Sequence, residues 1–247
     1  MKFDIAIPVY NEEVTIEAQI KKLHKVLSAL ENEENQFQIL ISDNGSTDRT
    51  KQIAESLVAS MERVNLISVG QKGVGLALRK AWENSQADII GYMDLDLATD
   101  VIHIYEVISI FLQDEADAIN ASRLLPTSTV RDRKVSRAIS SRGLNYILRL
   151  IFKTRVSDAM CGFKFIKKNV LETALANGAT SNGWFFVTQI LLVTEMMGFR
   201  VKEIPVSWVD DRNSKVRIFT LSKQYLSEIR ELRERINNSD YKDFIRL

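Results

Sequence analysis

Four short apolar segments, separated by stretches with helical spacing of apolar residues, dominate the first hundred residues. They cover residues 3–9, 37–41, 64–69 and 88–93. Strands that are apolar along their whole length are typical of parallel sheets with both faces covered, and the intervening stretches are long enough for crossover helices. The segment therefore predicts a βαβαβαβ unit, and the chain an α/β fold with a mainly parallel central sheet flanked by helices.

Polar clusters follow all four of these segments. They occupy residues 10–12, 43–44, 71–73 and 94–96. In open parallel sheets, ligands bind beyond the carboxyl ends of the strands. We therefore expect the four clusters to converge on one ligand-binding crevice.

The second half of the chain is less regular. Helices are expected over 102–112, 139–152, 184–197 and 219–236, strands over 116–121, 161–167 and 201–209, and a loop over 122–138. Internal repeats and flexible linkers are not visible. The sequence predicts one domain over residues 1–218, followed by a charged amphipathic helix in residues 219–247 that packs on the domain or extends from it.

Composition excludes several classes of function. The 33 basic and 32 acidic residues give a net charge of +1, which provides no global attraction to nucleic acid. The basic stretch 131–137 has no interleaved aromatic residues, so nucleic-acid binding is not expected. Cys161 is the single cysteine, which rules out an intramolecular disulfide and a cysteine zinc site.

The sequence also carries expectations about the membrane. No apolar run approaches the roughly 18 residues needed to span a bilayer, and no secretory leader is visible at the start. A chain of this kind suits a reducing compartment. We expect a cytoplasmic protein without a membrane-spanning helix.

Asp94 and Asp96 follow a buried strand and have no histidine or cysteine beside them. If the strand continues to this point, alternation directs both carboxylates to the same side. Oxygen ligands suit Mg²⁺ or Mn²⁺, which usually complete their coordination with substrate phosphates. The alternative is a solvated turn after a strand.

Two further loops have features of a nucleotide site. Asp43 directly follows an apolar strand and can accept hydrogen bonds from a nucleobase or a ribose hydroxyl. Lys72 lies in the glycine loop 70–75, which opens a helix and is suited to a diphosphate, although it lacks a Walker sequence. A capped turn and a tight glycine turn are the structural alternatives.

The positive charge of the chain is concentrated in one segment. Residues 123–155 contain nine basic residues and one acid, Asp132, a local charge of +8. Within it, apolar residues at helical spacing alternate with Arg142, Arg149 and Lys153. The pattern fits an anion site or contact with anionic lipid headgroups. A solvated loop and a helix packed on the sheet explain it equally well.

Seven motifs, in order along residues 3–217, resemble the family 2 glycosyltransferases, and among them the polyprenyl-phosphate (dolichol-phosphate) glucosyl- and mannosyltransferases. The matching segments are Ile7–Glu13, Ser42–Asp48, Lys72–Gly75, Met93–Asp96, Ala121–Arg123, Asp158–Lys164 and Glu203–Trp208, the last followed by Arg212 and Ser214–Lys215. The resemblance implies a single GT-A (Rossmann-like) domain.

The resemblance also implies roles for individual residues. Asp94 and Asp96 would hold a divalent metal, Mg²⁺ or Mn²⁺, on the diphosphate of a nucleoside diphosphate sugar. With Lys72 from the glycine loop, the donor-binding residues would be Pro8, Tyr10, Glu12, Asp43, Lys72, Asp94, Arg212 and Lys215. The acceptor phosphate would be bound by Ser122, Arg123 and Arg142, and Asp158 would face the reaction centre.

The expected function is inverting, metal-dependent transfer of a hexose to a polyprenyl phosphate at the cytoplasmic face of the membrane, with peripheral contact through the basic segment. One alternative acceptor is a saccharide hydroxyl in cell-envelope polysaccharide synthesis. That acceptor requires a general base, for which Asp158 is the candidate. A second alternative is a nucleotide-sugar-binding module without turnover, suggested by Asn44 and Gln189, which stand where relatives usually have carboxylates.

Overall fold

The computed structural model describes residues 1–133, 135–210 and 218–238, with side chains left out at 137, 218–224 and 237–238. Nine strands are described: β1 Lys2–Val9, β2 Gln36–Asp43, β3 Val64–Ser68, β4 Ile89–Met93, β5 Ala118–Ser122, β6 Thr129–Arg131, β7 Phe163–Lys167, β8 Val201–Pro205 and β9 Ser207–Val209. Eight α-helices are described: α1 Ile16–Leu30, α2 Thr50–Ser60, α3 Val74–Trp82, α4 Ile104–Leu112, α5 Val135–Phe152, α6 Lys168–Ala176, α7 Phe185–Met196 and α8 Ile218–Asn238. A short 3₁₀ turn, Val101–His103, precedes α4.

Seven of the strands form one sheet in the order β3-β2-β1-β4-β7-β5-β8. The first four are parallel to one another, and β5 and β8 are a parallel pair. Between these two groups, β7 runs antiparallel to both β4 and β5. The expected α/β fold with a mainly parallel sheet is confirmed.

Helices cover both faces of the sheet and produce two cores. Along β1, Ile5 and Ile7 face the core that includes residues of α1, α2 and α4, while Ala6 faces the core that includes residues of α3, α6 and α7. Successive side chains of a strand point to opposite faces. A strand buried on both sides therefore has to be apolar at every position, which explains the pattern in the sequence.

The structure corrects three details of the second half. Residues 122–138 are not a loop throughout, since they contain β6 and the start of α5, and α6 was not predicted. The strand expected over 201–209 is two strands in two different sheets, because β8 ends at Pro205 and β9 pairs with β6. Proline has no N–H for a ladder hydrogen bond and therefore favours such a break.

Helix α8 is attached to the domain by its apolar face. Ile229, Leu232 and Ile236 are buried in the same core as α7. Tyr225 packs edge-on against Phe185, with ring centroids 5.3 Å apart. Within the described residues, no helix is both long and apolar enough to cross a bilayer.

Candidate active site

Asp43 lies at the carboxyl end of β2, almost fully buried. Its Oδ1 accepts a hydrogen bond from the amide of Ser46 at 3.0 Å, and its Oδ2 accepts one from the Ser68 hydroxyl at 2.8 Å. These bonds fix the plane of the carboxylate while leaving each oxygen further acceptor capacity. Asp43 is therefore a preorganised acceptor at this edge of the sheet.

Hydrogen bonds join the loops that follow β1, β2 and β3. Asn11 has a left-handed φ of 55°. Its side-chain oxygen accepts a hydrogen bond from the Thr47 backbone amide at 2.8 Å, and its backbone amide donates to the Ser46 hydroxyl at 3.0 Å. The side-chain oxygen of Asn44 accepts a hydrogen bond from the amide of Gly73. Three of the four polar clusters are thus brought together, as the sequence predicts.

The other predicted donor residues of the first loops have different environments. Lys72 is exposed and places its Nζ 4.3 Å from the ring centroid of Tyr10, so it contacts the loop after β1. Glu12 accepts a hydrogen bond from the Thr15 hydroxyl at 2.7 Å, just before α1. Pro8 is buried within β1. Lys72 is consequently the most accessible member of this group and Pro8 the least.

Asp94 and Asp96 lie in a turn immediately after β4. The strand ends at Met93, and the amide of Leu97 donates to the carbonyl of Asp94 at 3.2 Å. The strand alternation expected from the sequence therefore does not extend to this pair, and a turn orients the carboxylates instead. Asp96 is exposed, and its Oδ1 accepts a hydrogen bond from the amide of Ala98 at 3.0 Å.

Asp94 is held both at its carboxylate and at its backbone. The Tyr92 hydroxyl donates to its Oδ1, and the amide of Asp94 donates to the carbonyl of Gly162 at 3.1 Å. Desolvation raises the pKa of Asp94, while Tyr92 and the nearby charges of Lys164 and Arg123 oppose that rise. A bound cation would stabilise the ionised form of such a carboxyl group.

Gly162 makes room for Asp94. A Cβ at position 162 would lie 1.7 Å from Oδ2 of Asp94, a distance at which atoms overlap. The described residues contain no group of three or more His, Cys, Asp or Glu side chains able to hold a metal alone. Two carboxylates with open positions still fit Mg²⁺ or Mn²⁺, because such ions take few protein ligands and complete their shell with phosphates and water.

Asp158 and Arg123 form a buried ion pair next to the turn that carries Asp94. The Nε and Nη2 atoms of Arg123 donate to the two carboxylate oxygens at 2.7 and 2.9 Å, and the Arg123 amide also donates to Oδ2 at 3.2 Å. Burial alone would raise the pKa of Asp158, but the charge and hydrogen bonds of Arg123 bring it below the ordinary value. The carboxylate is thus stabilised in its ionised form.

An aromatic residue supports a second arginine at the same place. The guanidinium carbons of Arg123 and Arg133 lie 5.2 and 5.7 Å from the ring centroid of Trp208 on β9. Burial is the main cause that lowers the pKa of Arg133, and the nearby positive charge of Arg123 lowers it further. Trp208 thus places a second cation, Arg133, beside the Arg123–Asp158 pair.

The half-buried carboxylate of Glu203 and the buried amide of Asn120 fix the backbone that carries Asp158. Glu203 accepts hydrogen bonds from the amides of Ser157 and Asp158 at 2.7 and 3.2 Å. Asn120 donates to Glu203 at 2.9 Å and to the carbonyl of Asp158 at 3.0 Å. Sequence reasoning missed these two positioning residues, although Glu203 lies in one of the motifs.

Lys164 is a further residue to which the sequence assigned no role. It is buried, donates to the carbonyl of Cys161 and lies 5.9 Å from the ring centroid of Tyr92. Burial lowers its pKa, against the opposing effect of Asp158 and Asp94. Burial also raises the pKa of the Cys161 thiol to about 11, so that thiol is not a nucleophile at neutral pH.

The remaining predicted acceptor residues are not all in one place. Ser122 is fully buried and shares a hydrogen bond of 2.5 Å with the Ser157 hydroxyl. Arg142 is on the exposed side of α5, one turn before Asn145, which accepts a hydrogen bond from the amide of Ala159 at 3.1 Å. Arg212 and Lys215 lie outside the described residues. Their roles stay predictions.

The segment 180–184 links the glycine loop to α7 and α8. The amide of Gly75 donates to the carbonyl of Asn182 at 2.9 Å, and Gln189 accepts a hydrogen bond from the amide of Ser181 at 2.9 Å. On α8, Glu228 accepts a hydrogen bond from the Ser181 hydroxyl, and the Tyr225 hydroxyl donates one to the carbonyl of Trp184. Gln189 thus has a positioning contact that does not require ionisation.

Solved structures share this architecture. Glucosyl-3-phosphoglycerate synthase from Mycobacterium tuberculosis, in complex with UDP, superposes with a TM-score of 0.67 over 94% of this chain and 80% of the other, at 18% identity. The same enzyme with Mn²⁺, UDP-glucose and phosphoglyceric acid gives a TM-score of 0.68 at 16% identity. The sheet order and the polar edge beyond β1–β4 define a protein with the GT-A glycosyltransferase fold.

Sequence comparison specifies the family. The profile described as "Glycosyl transferase family 2" matches residues 4–175, more than half of the chain. The chain belongs to this family and is a family 2 glycosyltransferase.

Two curated relatives extend over most of the chain. Glycosyltransferase AglD of Haloferax volcanii is 33% identical over 217 residues, which cover 87% of this chain and 34% of AglD. The chain thus spans about a third of the length of AglD. The dolichyl-phosphate beta-glucosyltransferase of Dictyostelium discoideum is 24% identical over 243 residues, covering 94% of this chain and 73% of that protein.

Proposed function

We propose that this protein transfers a hexose, with inversion, from a nucleoside diphosphate sugar of the UDP-glucose or GDP-mannose type to a polyprenyl phosphate. The transfer takes place at the cytoplasmic face of a membrane, with the protein bound peripherally. The catalytic domain comprises residues 1–218, and α8, whose described residues end at 238, packs on it as an extension. The Dictyostelium relative is named a dolichyl-phosphate beta-glucosyltransferase, which supports the acceptor class.

The acceptor assignment depends on the ion pair between Asp158 and Arg123. Both of its oxygens accept hydrogen bonds from Arg123, and its pKa is below the ordinary value. A carboxylate in this state is a weak base and is poorly placed to take a proton from a sugar hydroxyl. An acceptor phosphate oxygen is already anionic and needs no base. The geometry therefore favours a phosphate acceptor over a hydroxyl acceptor.

The charges of the site fit two anionic substrates placed side by side. Asp43 binds the nucleoside end of the donor, and Lys72 lies near its diphosphate. Asp94 and Asp96 would hold Mg²⁺ or Mn²⁺, which supplies charge stabilisation to the departing diphosphate. Arg123, whose charge is near Asp94, presents a cation to the acceptor.

The residues of this chain then orient the displacement. The acceptor phosphate oxygen forms a bond to the anomeric carbon while the bond from that carbon to the donor diphosphate breaks on the other face, which inverts the configuration. Arg123 holds the acceptor phosphate, and Asp158 fixes the Arg123 guanidinium through its bidentate pair. No proton has to move, so alignment and charge stabilisation account for the chemistry.

The test is transfer from UDP- and GDP-hexoses, with Mg²⁺ or Mn²⁺, to a short polyprenyl phosphate and, separately, to saccharide acceptors. We expect an inverted glycosyl phosphate only with the lipid phosphate. The Asp96→Asn variant should lose metal-dependent donor binding, whereas Asp100→Asn, an exposed cap of the next turn, should behave like the wild type. Transfer to a saccharide alone would contradict the acceptor assignment.

A further inference from the structure

Helix α5 exposes four large apolar side chains on one side. This exposed stripe consists of Val135 at 74%, Ile139 at 66%, Tyr146 at 63% and Leu150 at 64% of full exposure. At 100° per residue they fall within an arc of about 60° on the helix. Large apolar side chains that are exposed singly are common, but a row of four on one face of one helix marks an interaction surface.

The opposite face of α5 is already occupied. Ser141, Asn145, Leu148 and Phe152 are buried against the domain. This buried row is centred about 140° from the exposed stripe around the helix axis. The exposed stripe is therefore not required for packing of α5 on its own domain.

Positive charge accompanies the stripe. The helix contains no acidic residue, and Arg142, Arg149 and Lys153 are exposed beside the apolar row. Arg149 also donates to the carbonyl of Val156 at 3.3 Å. An apolar stripe with basic residues along it is the pattern of a helix that lies in the interface of an anionic bilayer.

A second exposed apolar row provides a contrast. Tyr105 and Leu112 are 55% and 56% exposed on α4. The exposed acids near them in sequence are Glu106, Asp114 and Glu115, and the last two pair with Lys167, Arg200 and Lys202. Charges of both signs therefore lie beside this row, whereas α5 contains no acidic residue, so charge favours α5 over α4 as the face directed toward an anionic membrane.

The position of α5 relative to the site suits this role. On its buried side, Asn145 accepts a hydrogen bond from the amide of Ala159, next to Asp158 and its partner Arg123. A helix is about 10 Å across, so the exposed stripe is about one helix diameter from the backbone that carries Asp158. A bilayer in contact with the stripe would lie close to the cations proposed to bind the acceptor phosphate.

We propose that α5 docks this protein on an anionic membrane by inserting Val135, Ile139, Tyr146 and Leu150 into the headgroup region. This inference deepens the proposed function. It depends on the proposed function only for the assignment of a lipid-linked acceptor. The docking itself is a binding event that requires neither donor, metal nor acceptor.

The experiment is flotation of the full chain with phosphatidylcholine vesicles, with and without phosphatidylglycerol, in the absence of substrates. The wild type should bind the anionic vesicles in a salt-sensitive manner. The Ile139→Gln/Leu150→Gln variant should bind them at least about tenfold more weakly. The matched control, Tyr105→Gln/Leu112→Gln on α4, should bind like the wild type. Equal binding by both variants overturns the proposal.

Two further readouts separate this inference from its alternatives. The α5 variant and the wild type should transfer the hexose equally well to a short, water-soluble polyprenyl phosphate without vesicles. If neither protein transfers the hexose but vesicle binding still depends on α5, the proposed function is contradicted and the docking is not. Sedimentation velocity tests a second copy as the occupant. A dimer that the α5 variant dissociates, with unchanged vesicle binding, would overturn the membrane assignment.

Discussion

Arg123 and Asp158 are joined by two parallel side-chain hydrogen bonds, of 2.7 and 2.9 Å, although 35 positions separate them in the sequence. Asp158 is fully buried, and the side chain of Arg123 is 11% exposed. The pair orders an arginine beside Asp94 and gives that arginine a fixed plane. An acidic residue paired in this way orients a cation and does not need to act as a base.

We expect the Asp158→Asn variant to lose about 3–5 kcal/mol of unfolding free energy, since it leaves a buried guanidinium without its counter-charge. Urea denaturation at neutral pH measures this loss. The folded-state pKa of Asp158 lies below 3.8, so its contribution is fully present above that pH and is lost as the pH falls through the lower folded value. The variant and the wild type should therefore converge in stability at acid pH.

The exposed pair of Arg230 and Glu234, one turn apart on α8, is the control for that experiment. Both side chains are more than half exposed, and such pairs contribute little. Arg230→Ala should leave the urea midpoint nearly unchanged. A similar, small loss in both variants would show that the Asp158–Arg123 pair has no special weight.

The close approach of Gly162 to Asp94 leads to a second prediction. Gly162→Ala places a Cβ where Oδ2 of Asp94 lies, so the carboxylate must move. We expect metal-dependent donor binding to fall by about tenfold or more, measured by calorimetry with UDP and Mn²⁺. Gly143→Ala on α5, whose Cβ would meet no atom within 4 Å, should bind normally. Normal binding by Gly162→Ala would remove Asp94 from the metal site.

Asn44 provides a test of how the glycine loop is positioned. Its side-chain oxygen holds the amide of Gly73, a contact that a carboxylate can also make. Asn44→Ala should loosen the glycine loop and raise the donor KM, while Asn44→Asp should keep the donor KM close to that of the wild type. Steady-state kinetics with the donor varied distinguish the two. Equal KM values for Asn44→Ala and the wild type would show that the contact does not position the loop.

Arg79 on α3 is expected to hold the segment that links the glycine loop to α8. It donates to the carbonyls of Thr180 and Ser181 at 2.9 and 2.5 Å. Arg79→Met leaves these carbonyls without their donor and should lower the unfolding free energy by about 1–3 kcal/mol and raise the donor KM. Lys80→Met, on the exposed neighbouring position, should change neither quantity. Denaturation and kinetics on the same samples provide both readouts.

Much of the donor side could be predicted from local sequence. The apolar runs that became β1, β2, β3 and β4 were visible, and so were the polar residues after them, because a buried parallel strand must be apolar at each position. Asn44 and Gln189, read from the sequence as departures, have positioning contacts in the structure. Their partners, Gly73 and Ser181, are in other loops, so the sequence alone contained no sign of these contacts.

The acceptor side depended on long-range pairing. The antiparallel insertion of β7 between β4 and β5 sets Gly162 against Asp94, and no periodicity distinguishes an antiparallel strand buried on both faces from a parallel one. The sequence also did not show that α5 turns an apolar row outward, because a helix packed on a sheet has the same spacing of apolar residues.

The sequence by itself thus determined the fold class, the edge of the sheet at which the polar loops meet and the family to which the chain belongs. These depend on short-range patterns and motif order. Only the tertiary structure decided which charges are neutralised, as for Asp158 by Arg123, and which apolar face is left exposed, as on α5. Both properties follow from burial and from contacts between residues far apart in the chain, which local patterns do not specify.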